Sequence, residues 1–175
     1  MADTLILPLA NALLTCLETE VSANPDVPAD FCLRAGPVTV HDIDAQTGID
    51  KTCCPGLGYV RIGQVYPSSA FPEPDPRSDR CLSLARAVEL TMGVVRCIPG
   101  MGTEAGPTCD DWTLAALHEA NDIDAMWKAM CCWVATSEFK AVKGRRFGIV
   151  TSNVIQEADC IERFMTILVD VPKCC

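Results

Sequence analysis

Apolar residues recur along this chain in two periods, and the switches between those periods mark out its elements. Over residues 4–20, Leu5, Leu9, Ala12, Leu13, Cys16 and Leu17 recur at helical spacing on one face, which predicts an amphipathic helix. Asp3 or Thr4 is placed to cap it, and Pro8 falls in the first turn, where a missing N–H is tolerated. Asn24, Pro25 and Pro28 stop it. Residues 58–66 alternate instead. Val60, Ile62 and Tyr66 fall on one face and Tyr59, Arg61 and Val65 on the other, the pattern of a strand. Residues 86–98 alternate too, with Val88, Leu90, Met92 and Val94 on one side. These two strands are expected to pair antiparallel.

Between them, residues 67–79 hold Pro67, Pro72, Pro74 and Pro76 among Ser, Glu and Asp. Proline removes backbone donors and fixes φ, so this segment is read as an extended loop or arm. Residues 30–56 carry Pro37, Gly48, Pro55 and Gly56 and are read as an irregular connection or an edge hairpin, with Val38 and Val40 forming a short strand. Pro99, Gly100, Gly102, Gly106 and Pro107 make a further break, without the Lys-Ser/Thr of a phosphate loop.

Thr108 and Asp111 resemble a capping box and open a long helix to about residue 135. Trp112, Ala115, Ala116, Glu119, Ile123, Met126, Trp127, Met130 and Val134 are expected to form its inner stripe. Asp110, Glu119, Asp122, Asp124 and Lys128 are expected on its polar face. Residues 146–155 and 160–171 read as two more strands, the second apolar on both faces and so interior to a sheet. The whole predicts one α+β domain over residues 1–175, with two main helices packed on a largely antiparallel sheet.

The chain has 175 residues and a formal net charge of -9. That length supports one hydrophobic core, and that charge opposes a grip on free nucleic acid. Lys143, Arg145 and Arg146 form only a small basic cluster. No run of eighteen uncharged apolar residues is present, so no membrane-spanning helix is expected, and the N-terminus lacks the basic start of a signal peptide. On that reading the chain is made in a reducing cytosol.

Twelve cysteines are unusual there. No C-x2-C knuckle occurs, and the doublets Cys53-Cys54, Cys131-Cys132 and Cys174-Cys175 diverge poorly suited to a tetrahedral zinc site. Cys16, Cys97 and one of Cys131 and Cys132 fit as small buried hydrophobes. Disulfides are the other reading, with Cys32 to Cys53 or Cys54, and Cys81 to Cys97, as candidate pairs by loop position. No cofactor or metal is called for. His41, beside Asp42 and Asp44, and His118, beside Glu119, could each meet a thiol, but no hydrolase or nucleotide motif accompanies them.

Three stretches carry a family likeness. They are Tyr59-Val-Arg-Ile-Gly-Gln-Val-Tyr-Pro-Ser-Ser-Ala-Phe-Pro-Glu-Pro-Asp, then Val88-Glu-Leu-Thr-Met-Gly-Val-Val-Arg-Cys-Ile-Pro, then the long helix ending Met130-Cys-Cys. In order and spacing they resemble tail-terminator proteins of siphophages that infect actinobacteria, over roughly two thirds of the chain. Phe147 to Val171 and the ending Lys173-Cys-Cys depart from that pattern. The resemblance implies a non-enzymatic virion protein, assembled in the host cytoplasm. It would form a homohexameric ring that caps the tail tube protein and meets the head–tail connector or stopper protein. DNA would only pass through its acidic lumen. Tyr59, Arg61, Tyr66, Phe71, Glu73 and Asp75 are the candidate subunit contacts. Another head–tail connector or stopper, a cysteine-based zinc or redox module, and a cytosolic enzyme are the rival readings.

Overall fold

The structure is a computed structural model that describes residues 5–35, 56–75, 85–98, 106–142, 146–157 and 160–172. The expected Val38–Val40 strand, His41, the break at 99–105, Lys143, Arg145 and residues 76–79 of the arm lie outside the described residues. The elements run α1 (Ile6–Val21), β1 (Asp30–Ala35), β2 (Leu57–Pro67), β3 (Ala85–Cys97), α2 (Cys109–Ala135), α3 (Ser137–Ala141), β4 (Phe147–Glu157) and β5 (Cys160–Pro172). The strands form one five-stranded sheet in the order β1-β2-β3-β5-β4. The fold is α+β, as the periodicity predicts.

All pairings are antiparallel except one. β1 runs parallel to β2, with Phe31 opposite Gly58 and Leu33 opposite Val60. This corrects the expectation of an irregular connection or hairpin at residues 30–35. A parallel partner is set by distant chain, so no local turn announces it. β2 and β3 pair antiparallel as expected, but their register shifts between Ile62 and Val65. The extra residue turns the strand over. Val65, opposite Val88, therefore joins the face of Val60 and Ile62, while Tyr66, opposite Ala87, joins that of Tyr59. The expected faces of Val65 and Tyr66 are exchanged.

α1 and α2 cover one face of the sheet. Leu9, Leu13, Cys16 and Leu17 of α1 meet Leu90, Met92, Met126, Met130, Trp133, Met165 and Ile167 in the main core. Each such side chain removed from water contributes roughly 1.5–3 kcal/mol. The Trp133 indole N–H is not stranded there: it donates to the Leu9 carbonyl at 3.0 Å. α1 begins after Leu5, whose side chain gives no cap bond; Asp3 and Thr4, the expected caps, lie outside the described residues.

α2 keeps its expected start, since Thr108 and Asp111 form a reciprocal capping box. Its inner stripe is rotated from the expectation. Ala115, Asp122, Ala125, Met126, Ala129, Met130 and Trp133 are buried, whereas Trp112 and Trp127 are exposed. Two ion pairs set that rotation. Glu119 pairs with Arg163 of β5, and Asp122 with Arg96 of β3. Charges on the sheet thus draw acids of the helix inward. β5 is interior, buried on both faces as expected, and its Thr166 hydroxyl lies 3.1 Å from that of Thr91.

Candidate subunit-contact site

The arm begins where β2 ends. Its described part is not extended, as the prolines suggested, but hooks back on itself. Ser68 Oγ donates to the Glu73 carbonyl at 2.8 Å, and the Glu73 N–H donates to the Ala70 carbonyl at 3.1 Å. The Asp75 N–H returns to the Pro67 carbonyl at 2.9 Å. The Asp75 carboxylate accepts from the Ser69 N–H at 2.9 Å and from its hydroxyl at 2.5 Å. Tyr66 donates its hydroxyl to the Pro72 carbonyl at 3.0 Å, and the Phe71–Pro72 peptide is cis. Serine and aspartate side chains thus replace the ladder bonds that proline cannot make.

This hook lies across one end of the sheet. The Arg146 guanidinium sits 5.5 Å from the centre of the Phe71 ring and pairs with the Asp170 carboxylate at 2.6 Å. A cation over an aromatic face is attracted to it, so Arg146 ties the arm to the sheet. Glu73 stays exposed, while Phe71, Asp75 and Tyr66 are half-buried. Burial raises the Tyr66 phenol above its ordinary pKa, and the Glu89 and Glu73 carboxylates add to that.

Tyr66, Phe71, Glu73 and Asp75 are therefore one cluster. Tyr59 is not part of it. Its side chain is 1% exposed and reaches across Gly93 to donate its hydroxyl to Glu162 of β5. Burial, then the Glu162 carboxylate, pushes the phenol far above the usual tyrosine range. Any Cβ at position 93 would sit 2.6 Å from that ring, so glycine leaves the path open. So buried, Tyr59 offers almost no surface to a neighbouring copy, against the expectation for it. Arg61 is half-buried, opposite Arg34 in the β1–β2 register and on the same face as Tyr59.

At the other end of the sheet a cavity of about 430 Å³ is lined by Pro25, Asp26, Val27, Gly56, Arg96, Cys97 and His118. His118 Nε2 lies 2.6 Å from the Asp26 carboxylate. Arg96 grips Asp122 through Nε at 2.5 Å and Nη2 at 2.7 Å, and donates Nη1 to the Asp26 carbonyl at 2.5 Å. Cys97, which lines the same cavity as this histidine, is disulfide-bonded and so is not a nucleophile. Among the described residues, no group of three His, Cys, Asp or Glu is placed to hold a metal ion. No described helix is long and apolar enough to cross a membrane.

The cysteines divide differently from the expectation. Cys16 and Cys132 are joined in a disulfide that links α1 to α2. Cys160 is disulfide-bonded as well as Cys97. Cys32 is a free, half-buried thiol, which corrects its proposed pairing with Cys53 or Cys54; Cys109 and Cys131 are free and exposed. Cys53, Cys54 and Cys81 lie outside the described residues. Helical periodicity places Cys16 on an inward face and leaves Cys131 and Cys132 as alternatives; packing of the two helices brings Cys16 and Cys132 to 5.8 Å at Cα. No protein-family model and no curated protein matches this chain.

Proposed function

We propose that the chain is a tail-terminator subunit of a long-tailed phage, a virion building block rather than a catalyst. Copies would close a ring, with six as the expected number, on the end of the tail tube and present a face to the head connector or stopper. DNA would pass through the lumen without being held, in keeping with the net charge of -9. One observation carries this reading: the hook from Pro67 to Asp75 is held in shape by its own hydrogen bonds yet faces outward. Ordered surface loops with little share in the core are where binding functions concentrate. Ring closure needs one patch to meet a different patch on the next copy. Phe71, Glu73 and Asp75 supply one such patch.

Deleting residues 68–76 should leave a folded chain that forms no rings. Size exclusion and negative-stain micrographs read the result. Rings that persist without the hook would refute its part in closure. Purified rings should also bind tail tubes; binding to DNA-filled heads alone would favour a stopper instead.

A further inference from the structure

Arg61 carries a charge that the fold leaves without a counterion. It stands on β2 between Arg34 of β1 and Thr91 of β3. Its side chain is half-buried on the face of Tyr59, turned away from the core beneath α1 and α2. Among the described residues Arg61 has no hydrogen bond and no ion pair. Glu89, on the same face of β3, lies over Gly63 instead. Burial raises the Tyr59 phenol, and the Arg61 and Arg34 charges pull against that rise, so a doubled positive charge stands beside it. A guanidinium partly withdrawn from water gains most from a carboxylate, which its forked donors grip at two points.

The chain holds the matching acid at another level of the sheet. Glu73 is exposed in the hook, and its carboxylate has no cation among the described residues. The hook is fastened at the Pro67 end of β2, by the Asp75 N–H on the Pro67 carbonyl and the Tyr66 hydroxyl on that of Pro72. Tyr66 is level with Ala87, and Arg61 with Thr91, four residues further along β3. Those levels lie roughly 13 Å apart along the strands. The two opposite charges are not paired within one copy, and between copies they can meet.

We propose that Arg61 of one copy receives Glu73 of the next. The patch around Arg61 differs from the hook that meets it, so the contact is heterologous. Each copy keeps one patch of either kind for a further neighbour, and such a contact closes into a ring where the rotation allows. This inference rests on the reading of the chain as a ring subunit, and it names the second patch that the hook requires.

Charge exchange on the full chain tests the pairing, with mass read by sedimentation and light scattering. Arg61→Glu and Glu73→Arg should each leave the circular dichroism unchanged. Each should weaken self-association roughly thirtyfold or more, since like charges then meet. The double variant R61E/E73R should recover the wild-type mass. A mixture of the two single variants should assemble as well, with both in equal amounts, because each supplies what the other lacks. Single variants that assemble like the wild type would overturn the proposal. So would a double variant or a mixture that stays dissociated, or a wild type that is monomeric at every concentration. The tail-terminator reading fails on a different result: assemblies that depend on this pair yet do not bind tail tubes would remove that function and leave the pairing in place.

Discussion

Arg96 of β3 and Asp122 of α2 are locked together as a buried, two-pronged ion pair, with the Asp122 carboxylate 2% exposed. The third prong of the guanidinium holds the Asp26 carbonyl in the turn after α1. One side chain thus joins sheet, long helix and first connection. Removing one partner leaves the other charge buried alone, at a cost of about 3–5 kcal/mol. Asp122→Leu and Arg96→Met should each lower the unfolding free energy, read from urea titration, by that much. The double variant should fall less than either single one, because no buried charge then remains. Additive losses would show that the two do not act as a pair.

That pair also shows why α2 was read one way from sequence and packs another. Nothing local distinguishes Asp122 from Asp124, since both are acids on an amphipathic helix. What separates them is Arg96, 26 residues earlier, standing on the sheet face that α2 covers. By contrast, α1, β3, β5 and the capping box depend on near neighbours, and alternation or spacing suffices for them. The parallel edge strand β1 and the switch of faces at Ile62–Val65 belong to the first kind. In the candidate site, Tyr66, Phe71, Glu73 and Asp75 were legible because they share one short loop. Tyr59 was misplaced because its partner, Glu162, lies 103 residues away.

The Cys16–Cys132 disulfide closes a loop with a sequence separation of 116 residues. A cross-link of that span removes conformational freedom from the unfolded chain, and the loop-entropy relation gives about 5 kcal/mol. The replacement Cys16→Ala with Cys132→Val keeps small apolar side chains in the core while deleting the bond. It should lower the unfolding free energy, read from urea titration, by several kcal/mol under oxidising conditions. Under strong reductant the wild type should fall toward the variant. A variant as stable as the wild type in both buffers would mean that the bond adds nothing to the packing of α1 on α2.

The capping box at the start of α2 carries a pH dependence whose sign is fixed. The Asp111 carboxylate accepts from the Thr108 N–H at 2.8 Å and from its hydroxyl at 2.7 Å. The backbone bond first, and the hydroxyl second, lower its pKa below the ordinary value of 3.8. A carboxyl whose folded pKa is depressed adds stability above its unfolded pKa and loses it as pH falls through the folded one. The helix start should therefore loosen only in acid, below the ordinary Asp range. Asp111→Asn should flatten that acid limb of the melting curve and leave neutral-pH melting little changed in slope with pH. Thr108→Ala removes the other half of the box and should cost about 1 kcal/mol at neutral pH, and it should also shrink the acid loss, since the hydroxyl helps hold the Asp111 pKa down. Amide exchange at residues 109–112, followed as pH is lowered, would locate the loss; protection that stays constant through the acid range would count against the carboxylate's role.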